Sequence, residues 1–108
     1  MRRMSASGMP YCYLLRCADG SYYCGSTRHE LLVRLEQHAS GLGSEYTGKR
    51  LPVELVWAAE FERVDDAYAL EKRIQGWSRA KREALIAGEF ERLPGLSRKQ
   101  LFARQRGE

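Results

Sequence analysis

The chain has 108 residues, 44% of them hydrophobic, which is room for one domain around one core and no more. Lys and Arg exceed Asp and Glu by 18 to 14, a net charge of +4; the clustering of the cations favours a phosphate polymer over a small neutral substrate. No apolar run approaches the ~20 residues that span a bilayer, and Met1-Arg2-Arg3 is not followed by a signal-peptide core, so a soluble, cytoplasmic protein is expected.

In chain order, residues 1–9 are polar and patternless and read as a flexible tail, as does the basic stretch 91–108; a single domain is expected over 10–90. Tyr11–Cys17 is aromatic and apolar and predicts a strand, and Ser21–Ser26 its return. The turn between them decides which side chains meet. A two-residue Asp-Gly loop puts Tyr13 and Tyr23 on opposite faces. A three-residue Ala18-Asp19-Gly20 loop, with Gly20 left-handed, pairs Leu15 with Tyr23 and puts both tyrosines on one face. The second is expected, partly because the chemistry below needs it. The three cysteines, Cys12, Cys17 and Cys24, lack C-x-x-C spacing and read as buried thiols rather than as a zinc site.

Thr27-Arg28-His29-Glu30 predicts a capping box, opening a helix with Leu31, Leu32 and Leu35 as its buried stripe and with Arg34 and His38 one turn apart. Gly41, Gly43 and Gly48 make 40–52 a loop. Val53–Phe61 predicts a third strand. Asp65 or Asp66 starts a second helix, with Ala67, Leu70, Ile74 and Trp77 at helical spacing. Ser78 caps a third helix over Arg79–Ala87, closed by Gly88. The fold class is α+β: a three-stranded antiparallel sheet flanked by about three helices, in the order β-β-α-β-α-α.

Tyr11-Cys12-Tyr13 and, nine residues on, Tyr23-Cys24-Gly25 resemble the paired tripeptides of GIY-YIG nucleases. Arg34 with His38 four residues later, and Glu71 in Ala69-Leu70-Glu71-Lys72-Arg73-Ile74, continue the resemblance, which covers about residues 10–88 and is nearest the small stand-alone members. Two positions depart from the pattern: Tyr11 stands where the family name has Gly, and Ser26 where some members carry Lys. The resemblance implies a Mg²⁺-dependent (or Mn²⁺-dependent) DNA endonuclease with Tyr13, Tyr23, Arg34 and His38 catalytic and Glu71 the metal ligand.

The residue types suit that chemistry. Phosphodiester hydrolysis needs an activated water, charge stabilisation at phosphoryl oxygens and help for the leaving alkoxide, the last within reach of one carboxylate-held Mg²⁺. Arg34 offers a planar fork for phosphate oxygens. Tyr13 is the expected general base, although a free phenol with a pKa of about 10 is ionised only to about one part in a thousand at pH 7. His38 is placed to accept its proton or to bond the phosphate, and Tyr23 to orient the water or the phosphate.

Substrate contacts are expected from Tyr46, Thr47, Lys49 and Arg50 in the loop and from Arg73, Arg79 and Arg82. DNA is the expected partner, single-stranded or branched slightly ahead of duplex, since one small core offers little surface for a long duplex. Trp57 and Trp77 fit core packing better than base stacking. The alternative function is a non-catalytic nucleic-acid-binding module.

Overall fold

The computed structural model describes residues 9–28 and 30–93; His29 and the expected tails, apart from Met9 and residues 91–93, lie outside them. Strand β1 (Tyr11–Arg16) is central, with β2 (Tyr22–Thr27) and β3 (Glu54–Glu60) antiparallel on either side, giving the order β2-β1-β3. The helices are α1 (Leu31–Ala39), α2 (Glu45–Gly48), α3 (Val64–Gln75) and α4 (Arg79–Ala87), followed by a 3₁₀ turn at Phe90–Arg92. The architecture is the expected α+β one. None of the described helices is long and apolar enough to cross a membrane.

The hairpin adopts the three-residue loop. Leu15 pairs with Tyr23 and Tyr13 with Gly25, the Cys17 amide donates to the Ser21 carbonyl, and Gly20 has φ +87°, a conformation open to glycine and costly for other residues. Alternation then divides the sheet. Cys12, Leu14, Tyr22 and Cys24 face Ala67, Leu70 and Ile74 of α3 and Ala84 and Leu85 of α4, with Trp57, Ala59 and Phe61 completing this apolar core. Tyr13 and Leu15, equally buried, point to the opposite face. Trp57 is a core residue and Trp77 packs against the core's edge. Leu93 is buried too, so packing extends a little past the expected boundary at residue 90.

Helix α4 follows its sequence signals: the Ser78 hydroxyl accepts from the Lys81 amide, and Gly88 is left-handed at the C-terminal end. Helix α3 starts slightly earlier than expected, at Val64, which leaves Asp65 and Asp66 in a first turn where carboxylates complement the helix dipole.

Three expectations fail locally. The capping box does not form, because Thr27 is the last paired residue of β2, opposite Tyr11. Helix α1 therefore starts at Leu31, and its N-cap residue, Glu30, makes no side-chain cap. The leucine stripe is not buried: Leu32 is 64% exposed, Leu31 and Leu35 are half-buried, and the buried residue of α1 is His38. The fully buried contact of this helix with the sheet is a polar one, His38 on Tyr13. The 40–52 loop also contains a turn of helix, α2, whose N-cap Ser44 accepts from the Thr47 amide.

These two leucines should respond differently to truncation. Leu70→Ala, in the core of α3, is expected to lose about 2–5 kcal/mol, whereas Leu32→Ala should stay within about 0.5 kcal/mol of wild type. Urea denaturation of both variants checks this; equal losses would contradict the exposure of α1.

Candidate active site

On the face of the sheet away from α3, the hairpin presents Tyr13 from β1 and Tyr23 from β2. Helix α1 brings Arg34 and His38 over them, one turn apart. Tyr13 and His38 are both fully buried, and Tyr13 Oη lies 2.9 Å from His38 Nε2. Arg34 Nε donates to the same phenol oxygen at 3.4 Å. The rest of the guanidinium is held at Nη1 by Gln37 Oε1 (2.8 Å) and at Nη2 by the Gly43 carbonyl (2.9 Å). The rings of Tyr23 and His38 lie 5.3 Å apart, and Tyr23 stacks on Tyr46 at 6.0 Å.

Two glycines make this packing possible. A methyl at Gly25 would lie 2.7 Å from Tyr13 Oη, and one at Gly43 would fall on the His38 ring. The third residue of the second tripeptide is thus a space requirement of the phenol. Gly43 is a site residue that the sequence reading saw only as a loop breaker.

Burial sets the protonation state of the pair. It pushes the Tyr13 phenol up to about 12, although the Arg34 hydrogen bond and charge act to lower it; the neighbouring Tyr23 and Glu71 raise it further. Burial also pushes His38 down to about 4, and the Arg34 charge adds to that. At neutral pH the pair is a neutral phenol and a neutral imidazole.

Glu71 comes from α3, on the other side of the sheet, and reaches edge strand β2. Its Oε1 accepts from Ser26 Oγ at 2.6 Å and its Oε2 from Gln75 Nε2 at 2.8 Å. Both donors are neutral, and among the described residues no Lys or Arg pairs with this carboxylate. A half-buried carboxylate held by neutral groups, with lone pairs to spare, suits a hard cation that keeps most of its water shell. Among the described residues no cluster of three or more His, Cys, Asp or Glu side chains is found. Gln75, one turn beyond Glu71, was findable from helical spacing. Ser26 stood out in the sequence only as the position where some family members carry Lys, not as a partner of Glu71.

The residues expected to touch nucleic acid divide. Thr47 is buried, with Oγ1 2.8 Å from His38 Nδ1, so its hydroxyl belongs to the site's interior and not to a substrate-facing surface. Arg50 is spent within the chain: it stacks 3.8 Å over Tyr46, donates to the Tyr46 carbonyl and pairs with Asp19 at 3.0 Å. Arg79 donates to the Gly20 carbonyl (2.7 Å), pairs with Glu83 (2.9 Å) and lies over Tyr22. Arg82 caps the carbonyls of Ile74 and Gln75 at the end of α3. Lys49 and Arg73 are exposed, and Tyr46 presents one edge to solvent between Tyr23 and Arg50. An open hollow lined by Ser26, Arg28, Val33, Arg34 and Gln37 lies beside the Glu71–Ser26 pair.

Comparison with known proteins identifies the family. The GIY-YIG catalytic domain matches residues 9–84. The chain belongs to the GIY-YIG family. That places it in a nuclease superfamily whose substrate is DNA and whose members are generally metal-dependent. It is 43% identical over 76 residues to a UPF0213 protein of Bacillus pumilus, covering 70% of this chain and 76% of that one. It is 42% identical over 79 residues to a UPF0213 protein of Natronomonas pharaonis, covering 73% of this chain and 92% of that one. A solution structure of a UPF0213 protein from Bacillus halodurans is 37% identical, covers 82% of this chain and 96% of its own, and superposes with a TM-score of 0.49.

The His38 shift has a definite sign for stability. Its folded value near 4 lies below the ordinary 6.5, so the unfolded chain binds the extra proton between those values. His38's contribution is complete above about pH 6.5 and is lost as the pH falls toward 4. Denaturation of wild type and His38→Gln between pH 4 and 7 is expected to show the stability gap narrowing on the acid side. A gap independent of pH would contradict a neutral, buried imidazole.

Proposed function

We propose that this GIY-YIG protein is a metal-dependent DNA endonuclease that hydrolyses a phosphodiester in one in-line step, with single-stranded or branched DNA slightly preferred over duplex. The observation that carries the reading is the Tyr13 phenol, fixed between the Arg34 guanidinium and the His38 imidazole in a buried pocket. One partner would satisfy a buried phenol that only packed; this one carries two, and one of them is a cation.

In the resting site the phenol is protonated, and a phenol pushed up to about 12 is no base at pH 7. His38 Nε2 is the group positioned to take its proton. A phosphate docked on Arg34 brings negative charge next to the imidazole and raises its basicity. The phenolate then accepts a proton from the attacking water, the water oxygen bonds to phosphorus, and the bond to the leaving oxygen breaks on the opposite side. Tyr13 is completely covered, so half-buried Tyr23 and Arg34 have to admit that water. Glu71, steadied by Ser26 and Gln75, would hold the divalent ion, which supplies positive charge for the phosphoryl oxygens and the leaving alkoxide. Lys49 and Arg73, both exposed, would meet the flanking backbone, with the edge of Tyr46 for a base.

The test is cleavage of labelled single-stranded, branched and duplex DNA with Mg²⁺, Mn²⁺ or EDTA. Wild type is expected to cut with either metal and to stop in EDTA. Tyr13→Phe and Glu71→Gln, both folded, should each lose about 100-fold or more of the rate. Metal-independent binding without cleavage would move the protein to a non-catalytic binding module. Undiminished cutting by either variant would remove that residue from the mechanism.

A further inference from the structure

Behind His38, on the side away from Tyr13, a chain of hydroxyls ends in the one-turn helix α2. His38 Nδ1 lies 2.8 Å from Thr47 Oγ1, and Thr47 Oγ1 lies 2.9 Å from Ser44 Oγ and 3.4 Å from the Ser44 carbonyl. Thr47 is as completely buried as His38. We infer that Thr47 is a positioning residue that fixes His38 as the Nδ1–H tautomer, so that Nε2 stays a bare acceptor aimed at the Tyr13 hydroxyl. This deepens the nuclease reading, because it concerns the group that receives the tyrosine proton.

Counting donors and acceptors selects the tautomer. With the hydrogen on Nδ1, that N–H donates to Thr47 Oγ1, and the Thr47 hydroxyl hydrogen goes on to Ser44. The Tyr13 hydroxyl donates to Nε2 while its oxygen accepts from Arg34 Nε. Every polar hydrogen in the chain then has an acceptor. With the hydrogen on Nε2 instead, the phenol oxygen faces two donors, Nε2–H and Arg34 Nε. Its own hydrogen has no acceptor among the described residues, in a fully buried position. The second arrangement also blocks the chemistry, since Nε2 can no longer accept a proton.

The local structure explains why the threonine sits there. Ser44 Oγ accepts from the Thr47 amide as the N-cap of α2, which anchors Thr47 and turns its side chain inward. Gly43, immediately before, lies against the His38 ring where a side chain would collide, and its carbonyl holds Arg34. The segment from Gly43 to Thr47 thus sets both the arginine and the imidazole. In the reaction the Tyr13 O–H bond breaks and an Nε2–H bond forms, giving phenolate and imidazolium. Thr47 accepts from Nδ1–H before and after, and transfers no proton itself.

The experiment uses the full chain labelled with ¹⁵N-histidine, with long-range proton–nitrogen spectra at pH 7 and steady-state cleavage of labelled DNA in Mg²⁺. His38→Gln separates the His38 signals from those of the other histidine, His29. Wild type and Thr47→Ser are expected to show the Nδ1–H pattern and similar kcat. Thr47→Val is expected to lose that pattern in favour of a mixture or of Nε2–H, with kcat down about 10- to 100-fold and KM unchanged. An Nε2–H pattern in wild type overturns the inference without reference to any variant, and so does a Thr47→Val protein with the wild-type pattern or the wild-type kcat. Wild-type protein that cuts no DNA would instead remove the nuclease reading, while its spectrum still decides the tautomer.

Discussion

The hydrogen bond between Tyr13 and His38 is the constraint around which the second face of the sheet is organised. Both side chains are fully covered, and a buried hydroxyl or imidazole without a partner is costly, so each has to find the other. Theirs is the fully buried contact of α1 with the sheet, because that helix buries His38 and leaves Leu32 and Val33 in solvent. The surroundings then comply with the pair. Gly25 leaves room for the phenol, Gly43 leaves room for the ring, and Thr47 satisfies the nitrogen that Tyr13 does not reach.

The same burial that fixes the pair keeps it uncharged. Desolvation penalises phenolate and imidazolium alike, which drives the two groups apart on the pH scale and leaves the Tyr13–His38 pair uncharged beside the Arg34 guanidinium. In the proposed reaction, the charge that activates this pair would arrive with the substrate and its metal ion. Glu71, the proposed ligand of that ion, has its two oxygens steadied by an uncharged serine and an uncharged glutamine, which orient the carboxylate without neutralising it.

The sheet separates two tasks. One face is an ordinary apolar core of strand residues against α3 and α4. The other carries a polar group, Arg34, Tyr13, His38, Thr47 and Ser44, joined in that order by hydrogen bonds. A chain of this size has few residues to spare, and several of its cations serve the fold. Arg82 closes the end of α3, Arg79 ties α4 to the hairpin turn, and Arg50 bridges Tyr46 and Asp19. A positive net charge is therefore a poor count of the side chains left for DNA.

The sequence by itself determined the order of the strands and the longer helices and the apolar face of α3; of two possible hairpin turns the expected chemistry favoured the one found, and the family resemblance supplied the tyrosine, arginine, histidine and glutamate set. Those features are local: turn chemistry places Leu15 opposite Tyr23, period-two alternation then puts both tyrosines on one face, and helical spacing puts Arg34 beside His38. Only the tertiary structure decided what each polar residue bonds to. Thr47 reads as a loop hydroxyl until α2 turns it onto His38, nine residues away, and Ser26 meets Glu71 across forty-five residues of chain. The capping box failed for the same reason, since Thr27 was claimed by its pairing with Tyr11. A hydroxyl or a guanidinium can satisfy itself with a neighbour in sequence, a partner in space or water, and burial makes that choice. Burial is a property of the packed molecule, so it is written in no single stretch of the chain.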